Sequence, residues 1–230
     1  MRVYPLDSKL YDNIRSKLRK IDKQLPQKVL ADKATSIDSL IVLGDGREDY
    51  VVVPLICHHL NRNKTVAIVK PTYTRYGALQ TLKAIVKTYK TIAFVLDQEN
   101  DELSAISEKI MWKLNEISTV CKEKKDLIGG RVVCYDKCIF GDHRFKFVVV
   151  INGLDDMRGP NHMIEDHLVR LAGVTVQGDS KDEWNGLSEE KRLEVFRNIY
   201  TDRGVAETEK VFKQHFAGLR LLKGMDGSTQ

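Results

Sequence analysis

SLIVLGDGRED (39–49), TVAIVKPTY (65–73) and TIAFVLDQEND (91–101) are the stretches that decide how this chain folds. Each opens on five or six mostly apolar residues and then stops at a turn: Gly44-Asp45-Gly46, Lys70-Pro71, and the acids from Asp97 onward. Short apolar runs bounded in this way read as strands buried on both faces. Helices are expected between them, over 48–60 and over 74–89, the second with Leu79, Leu82, Ile85 and Val86 as its apolar stripe. A third is expected over 101–122, where Leu103, Ile106, Ile110, Leu114 and Ile117 recur at steps of three and four. Strand, turn and helix three times over demand crossover connections, hence a parallel sheet covered by helices. The expected class is α/β, a central, mostly parallel sheet with helices on both faces.

Outward from this centre, RVVCY (131–135) and KFVVVI (146–151) read as further strands of the same sheet, with 136–145 a loop around Gly141-Asp142. Residues 8–33 read as a helix or helix pair, with Leu10, Ile14, Leu18, Ile21 and Leu25 inward, Ser8 as N-cap and Pro26 as breaker. Its outer side carries Arg15, Lys17, Arg19, Lys20 and Lys23, which reads as a solvated face. More helices are expected over 162–172, 188–200 and 205–222, before a frayed tail at 224–230. The organisation is thus an N-terminal helical extension (1–36), an α/β domain (37–172) and a C-terminal helical segment (173–230). The last segment can either wrap the sheet or join copies of the chain into a homo-oligomer.

Composition narrows the class of protein. The 230 residues include 42% hydrophobic and 30% charged ones, which excludes wholesale disorder, a collagen-like repeat and a disulfide scaffold. No run approaches the roughly 18 apolar residues that span a bilayer, and the N-terminus, charged from the start, has no apolar segment of a secretory signal. The four cysteines are sparse and irregularly spaced, so a reducing cytoplasm is expected. Thirty-seven Lys+Arg against 32 Asp+Glu give a net charge of +5, compatible with nucleic acid without requiring it.

Charge placement says more than charge. In open parallel sheets ligands bind beyond the carboxyl ends of the strands, which here are the GDGRED and DQEND turns. From Tyr50 to Leu96 there is no Asp or Glu, while Arg62, Lys64, Lys70, Arg75, Lys83, Lys87 and Lys90 all fall in that stretch. It ends in four acids within six residues, Asp97 to Glu102. Asp97, Glu99 and Asp101 alternate, so an extended turn presents their oxygens to one Mg²⁺ or Mn²⁺. The competing reading is that these acids favour the N-terminus of the following helix. Gly44-Asp45-Gly46 lacks the further residues of a dinucleotide or P-loop fingerprint. His58-His59 with Cys57 reads as packing, Cys134-x-x-x-Cys138 lacks a second pair for zinc, and Asp155-Asp156 and Glu165-Asp166 follow the last strand toward the same edge.

The order of strand, glycine-containing acidic turn, helix, strand, helix and strand ending in alternating acids resembles the Toprim domain. That Rossmann-like module binds metal in topoisomerases, primases and the overcoming-lysogenization-defect nucleases. LGDGRED (43–49) is similar to its Glu-Gly motif with an Asp a few residues on, and LDQEND (96–101) to its Asp-x-Asp motif. The resemblance covers about residues 37–172, and VVVINGLDDMRGPNHMIEDHLVRL (148–171) is similar to the later segment of small stand-alone members. Leu43 stands where the family has Glu, and Glu99 replaces the second Asp. The resemblance implies an Mg²⁺- or Mn²⁺-dependent phosphoryl-transfer protein acting on DNA or RNA, a nuclease. Asp97, Glu99 and Asp101 would hold the metal, with Glu165 as an extra acid. Glu48 or Asp45 would transfer protons, and Lys64, Lys70 and Arg75 would grip phosphates. Two alternatives stand beside it: a degenerate module that binds nucleic acid or a partner without catalysis, and a nucleotide-binding α/β protein using the 44–46 turn.

Overall fold

The computed structural model describes residues 1–32, 36–61, 63–72 and 74–222; Arg62, Tyr73 and the tail at 224–230, named above, lie outside them. Seven strands join in one sheet: β1 (Arg2–Pro5), β2 (Ser39–Leu43), β3 (Thr65–Val69), β4 (Thr91–Asp97), β5 (Thr119–Leu127), β6 (Val132–Phe140) and β7 (His143–Asn152). Their order is β1-β3-β2-β4-β7-β6-β5. The first five in that order run parallel, and β6 and β5 continue the sheet antiparallel. The helices are α1 (Ser8–Ile21), α2 (Leu25–Val29), α3 (Asp49–His59), α4 (Leu82–Ile85), α5 (Leu103–Glu116), α6 (Ile164–Leu171), α7 (Ser180–Gly186), α8 (Glu189–Tyr200), α9 (Val205–Val211) and α10 (Lys213–Arg220).

Alternation along each strand builds two cores. Ile41, Leu43, Ala93, Val95, Val148 and Val150 pack on one face with α1, α3, α6, α8 and α10. Leu40, Val42, Ile92, Phe94, Val149 and Ile151 pack on the other with α4, its flanking 3₁₀ turns and α5. The sheet is thus mostly parallel with helices on both faces, as the apolar runs implied. From β2 the chain passes to β3 on one side, whereas β4 neighbours β2 on the other. The helices that follow β2 and β4 lie on opposite faces. Such a reversal opens a crevice at the carboxyl ends of the two strands, which here end in the GDGRED turn and Asp97.

Several local readings change. The helix expected over 101–122 stops at Glu116; Ser118 takes a left-handed φ of 57° and Thr119 starts β5. Most of β5 is exposed, so CKEKKD shows no apolar alternation, and only its pairing with β6 makes it a strand. The loop expected over 136–145 shrinks to the Gly141-Asp142 turn, with Gly141 at φ 61°. Cys121 and Cys138, opposite each other on β5 and β6, form a disulfide that their irregular spacing does not signal. At the N-terminus Arg2–Pro5 pairs parallel with β3. Asp7 rather than Ser8 caps α1, its Oδ1 accepting from Lys9 N at 2.7 Å and Leu10 N at 3.2 Å.

The C-terminal helices bury Phe212, Phe216, Leu219 and Leu222 in the first core. Among the described residues no helix is long and apolar enough to cross a membrane. Helix α10 lies so close to β7 that a Cβ on Gly218 would sit 2.3 Å from Val150 Cγ2. Gly218→Ala is therefore expected to cost about 1–3 kcal/mol by overpacking, read as a lower denaturant midpoint; an unchanged midpoint would mean that α10 can shift freely on the sheet.

Candidate functional site

The turn after β2 is pinned to the end of β4 by its first glycine: Gly44 N–H donates to Val95 O at 2.8 Å. Its second glycine admits two carboxylates. A Cβ on Gly46 would lie 2.2 Å from Asp49 Oδ2 and 3.0 Å from Asp97 Oδ2, so only glycine allows this approach. Asp49 opens α3, Asp97 closes β4, and Asn152, the register partner of Asp97, closes β7. The Asn152 Nδ2 group donates to Asp49 Oδ1 at 3.0 Å and to Asp97 Oδ1 at 2.7 Å. His215 Nε2 donates to Asn152 Oδ1 at 2.7 Å, which fixes the amide with its NH₂ toward the acids. Asp97 Oδ1 also accepts from Ile164 N at 3.0 Å, at the start of α6.

Glu48, Asp49, Asp97 and Glu165 are each 5% exposed or less. Burial, then the neighbouring Asp97, pushes Asp49 well above the ordinary carboxylate range, with Lys70 opposing. Burial raises Asp97 to about 6 against the hydrogen bonds from Asn152 and Ile164, while Asp45 and Glu99 push it further up. Burial, then Asp97 and Glu48, raises Glu165 to about 7. Lys70 Nζ donates to the carbonyls of Gly44, at 3.3 Å, and Gly46. Glu48 Oε1 accepts from Trp184 Nε1 at 3.4 Å, whereas Glu48 Oε2 and Asp49 Oδ2 are buried without a hydrogen-bond partner.

Buried carboxylates this close cannot all ionise unless a positive charge joins them. A hard cation such as Mg²⁺ takes one or two carboxylates and completes its shell with water and phosphate oxygens. Asp49 and Asp97, with Oδ2 atoms crowding one side of Gly46, fit that demand. Among the described residues no group of three His, Cys, Asp or Glu is placed to hold a metal ion, so the remaining positions would fall to water or ligand.

The structure scatters the other expected residues. Asp101 is held by Arg75, by Lys109 at 2.7 Å and by Tyr76 at 3.1 Å, and Glu99 faces Arg75 at 3.4 Å. Glu99 takes a left-handed φ of 54° and bridges to the His162 backbone, so the alternating acids do not share a face. None of the 97–102 acids caps α5 through its side chain: Glu102, at the N-cap position, makes no side-chain capping bond. The Arg75 guanidinium also donates to the carbonyls of Asp97 and Gln98 at 2.9 and 2.8 Å, so it buttresses the loop. Lys64 lies at the amino end of β3, bound to Asp38 at 3.0 Å and Leu222 O at 2.6 Å, across the sheet from the acids. Asp45 is exposed beside Asp97. Leu43 points into the first core. Cys134 is a buried thiol apart from the bonded Cys138, and His59 Nε2 contacts Ile199 O at 2.6 Å. Asp155 and Asp156 pair with Arg131 and Arg170, and Asp166 accepts from Leu154 N at 3.1 Å.

Sequence reasoning passed over Asn152 and His215 altogether, and gave Asp49 no role although it ends the GDGRED turn. An Asn at a strand end reads as turn chemistry, and nothing in the chain announces that His215, 63 residues later, meets it.

Because folded Asp97 and Glu165 keep protons that the unfolded chain releases near pH 4, the native state binds more protons above that pH, and stability falls as pH rises toward 7. Burial lowers His167 to about 3 and His215 well below the ordinary imidazole range, and both work in the opposite sense until unfolded histidine has lost its proton, at about pH 7. Above about pH 7 the raised carboxyls, Asp49 among them, dominate the slope. In EDTA the melting temperature is expected to drop between pH 7 and 8, and Glu165→Gln to flatten the drop and raise the value at pH 8 by roughly 3–8 °C. An identical slope in the variant would remove Glu165 as the proton holder.

Against known proteins, no family model, no curated protein and no solved structure matches the chain.

Proposed function

We propose that this chain is a divalent-cation-dependent phosphoryl-transfer protein acting on nucleic acid, a Toprim-like nuclease, with its centre at Asp49 and Asp97. The observation that carries this reading is the meeting of buried acids from three separate segments, with orphaned oxygens on Glu48 and Asp49, at the crevice of a parallel sheet. Compared with the alternating acids at 97–101, the cation ligands become Asp49 and Asp97, and Glu99 and Asp101 drop out as partners of Arg75.

When bound, Mg²⁺ or Mn²⁺ supplies neutralisation of phosphate charge and a more acidic bound water. The chain's own groups do the rest. Asn152, locked by His215, holds the two aspartates in register. Lys70 ties down both glycine carbonyls of the turn and sets a positive charge beside Asp49. Glu165, near 7, can take or give a proton at neutral pH, which suits general acid–base work. Asp45 at the exposed rim and buried Glu48 remain as further proton-transfer groups. The acid-free basic stretch and the charge of +5 favour a polyanionic substrate.

The test is cleavage of labelled DNA and RNA with Mg²⁺ or Mn²⁺. Asp97→Asn and Asp49→Asn are each expected to lower the rate at least a hundredfold, while Asp101→Asn keeps most of it. Full activity in Asp97→Asn would overturn the reading. Salt-sensitive binding that persists in EDTA, with no cleavage under any cation, would replace it with the degenerate binding module.

A further inference from the structure

A second feature adjoins the acidic centre from the solvent side. Lys17 and Lys20 of α1, Arg47 of the GDGRED turn and Arg192 of α8 line a cavity of about 120 Å³, together with Glu48 and Glu189. Four cations thus face two carboxylates, an excess of two positive charges converging from three separate parts of the chain. One carboxylate is already engaged: Glu189 meets Lys20 at 2.8 Å on the exposed side, a contact that an incoming anion can displace cheaply. The other, Glu48, is buried, and its Oε1 accepts from Trp184 Nε1 at 3.4 Å.

We propose that this cleft is a phosphate subsite. The cleft has room for a phosphate group and opens to solvent, where the remainder of a larger ligand can extend. Arginine forks bind phosphate oxygens in pairs and lysines add point charge. Glu48 connects the two places, since it lines the cleft while its chain neighbour Asp49 belongs to the acidic centre. A polynucleotide backbone with one phosphate in the cleft would therefore lead toward Asp97. The basic face of α1, which reads from sequence as merely solvated, supplies two of the four cations. The subsite deepens the phosphoryl-transfer reading, but its test needs no cleavage.

The probes are a labelled single-stranded oligonucleotide and inorganic phosphate, both in EDTA. The Arg47→Ala/Arg192→Ala variant is compared with Lys124→Ala/Lys137→Ala on the distant β5–β6 hairpin, which removes equal charge. The cleft variant is expected to weaken oligonucleotide binding at least tenfold at low salt and to shrink the salt slope by about 1–2, with the hairpin variant near the parent. Stabilisation by inorganic phosphate that the cleft variant alone loses, without oligonucleotide binding, would identify the ligand as a small phosphate and keep the subsite. Equal losses in the two variants, or none in the cleft variant, would overturn it. A cleft variant that binds weakly in a protein unable to cleave would leave the subsite standing while the nuclease reading falls, and normal binding with Asp97-dependent cleavage would do the reverse.

Discussion

Carboxyl groups forced together away from water set the terms for the carboxyl edge of this sheet. Glu48, Asp49, Asp97 and Glu165 are buried within reach of one another's charge, and burial is the first cause of every raised value among them. Such a cluster survives only if polar groups surround it, protons neutralise it or a cation enters it. The protein supplies the first: the Asn152 amide, the Ile164 amide, the Trp184 indole and nearby Lys70. Two oxygens of the cluster, on Glu48 and Asp49, make no hydrogen bond.

Holding that cluster requires elements far apart in sequence. The polar chain runs from α10 through His215 to Asn152 at the end of β7, then to Asp97 on β4 and Asp49 on α3. Helix α10 can deliver His215 because Gly218 lets it lie against Val150. Beneath it His167 stacks on Phe212, donates from Nδ1 to Val211 O and accepts from Gln214, a neutral imidazole kept so by burial. The C-terminal helices therefore brace the acids as well as cover the sheet. At the other end β5 is the exposed edge, and its KEKKD run (122–126) is the kind of charged edge that resists pairing with foreign strands.

How much of this was legible follows from where each signal is stored. SLIVL, TVAIV and TIAFVL are buried on both sides, so their apolar character is continuous and announces itself. CKEKKD is exposed on an edge, so nothing local marks it as strand until β6 pairs with it. The acids at 97–101 looked like one ligand set because an extended turn would alternate them. A left-handed residue at Glu99 and the reach of Arg75 undo that. Lys64 and Lys70, alike in sequence, end at opposite edges because β3 runs between them.

By itself, then, the sequence determined the class of fold, the order of the parallel strands' turns and the edge at which the acidic turns lie, since hydrophobic period and turn residues are local properties. Only the tertiary structure decided which acids meet. Carboxylate contacts depend on crossovers, on two glycines that permit close approach and on an amide and an imidazole brought from β7 and α10. No spacing along the chain encodes those distances, because they are set by how the helices pack across the sheet.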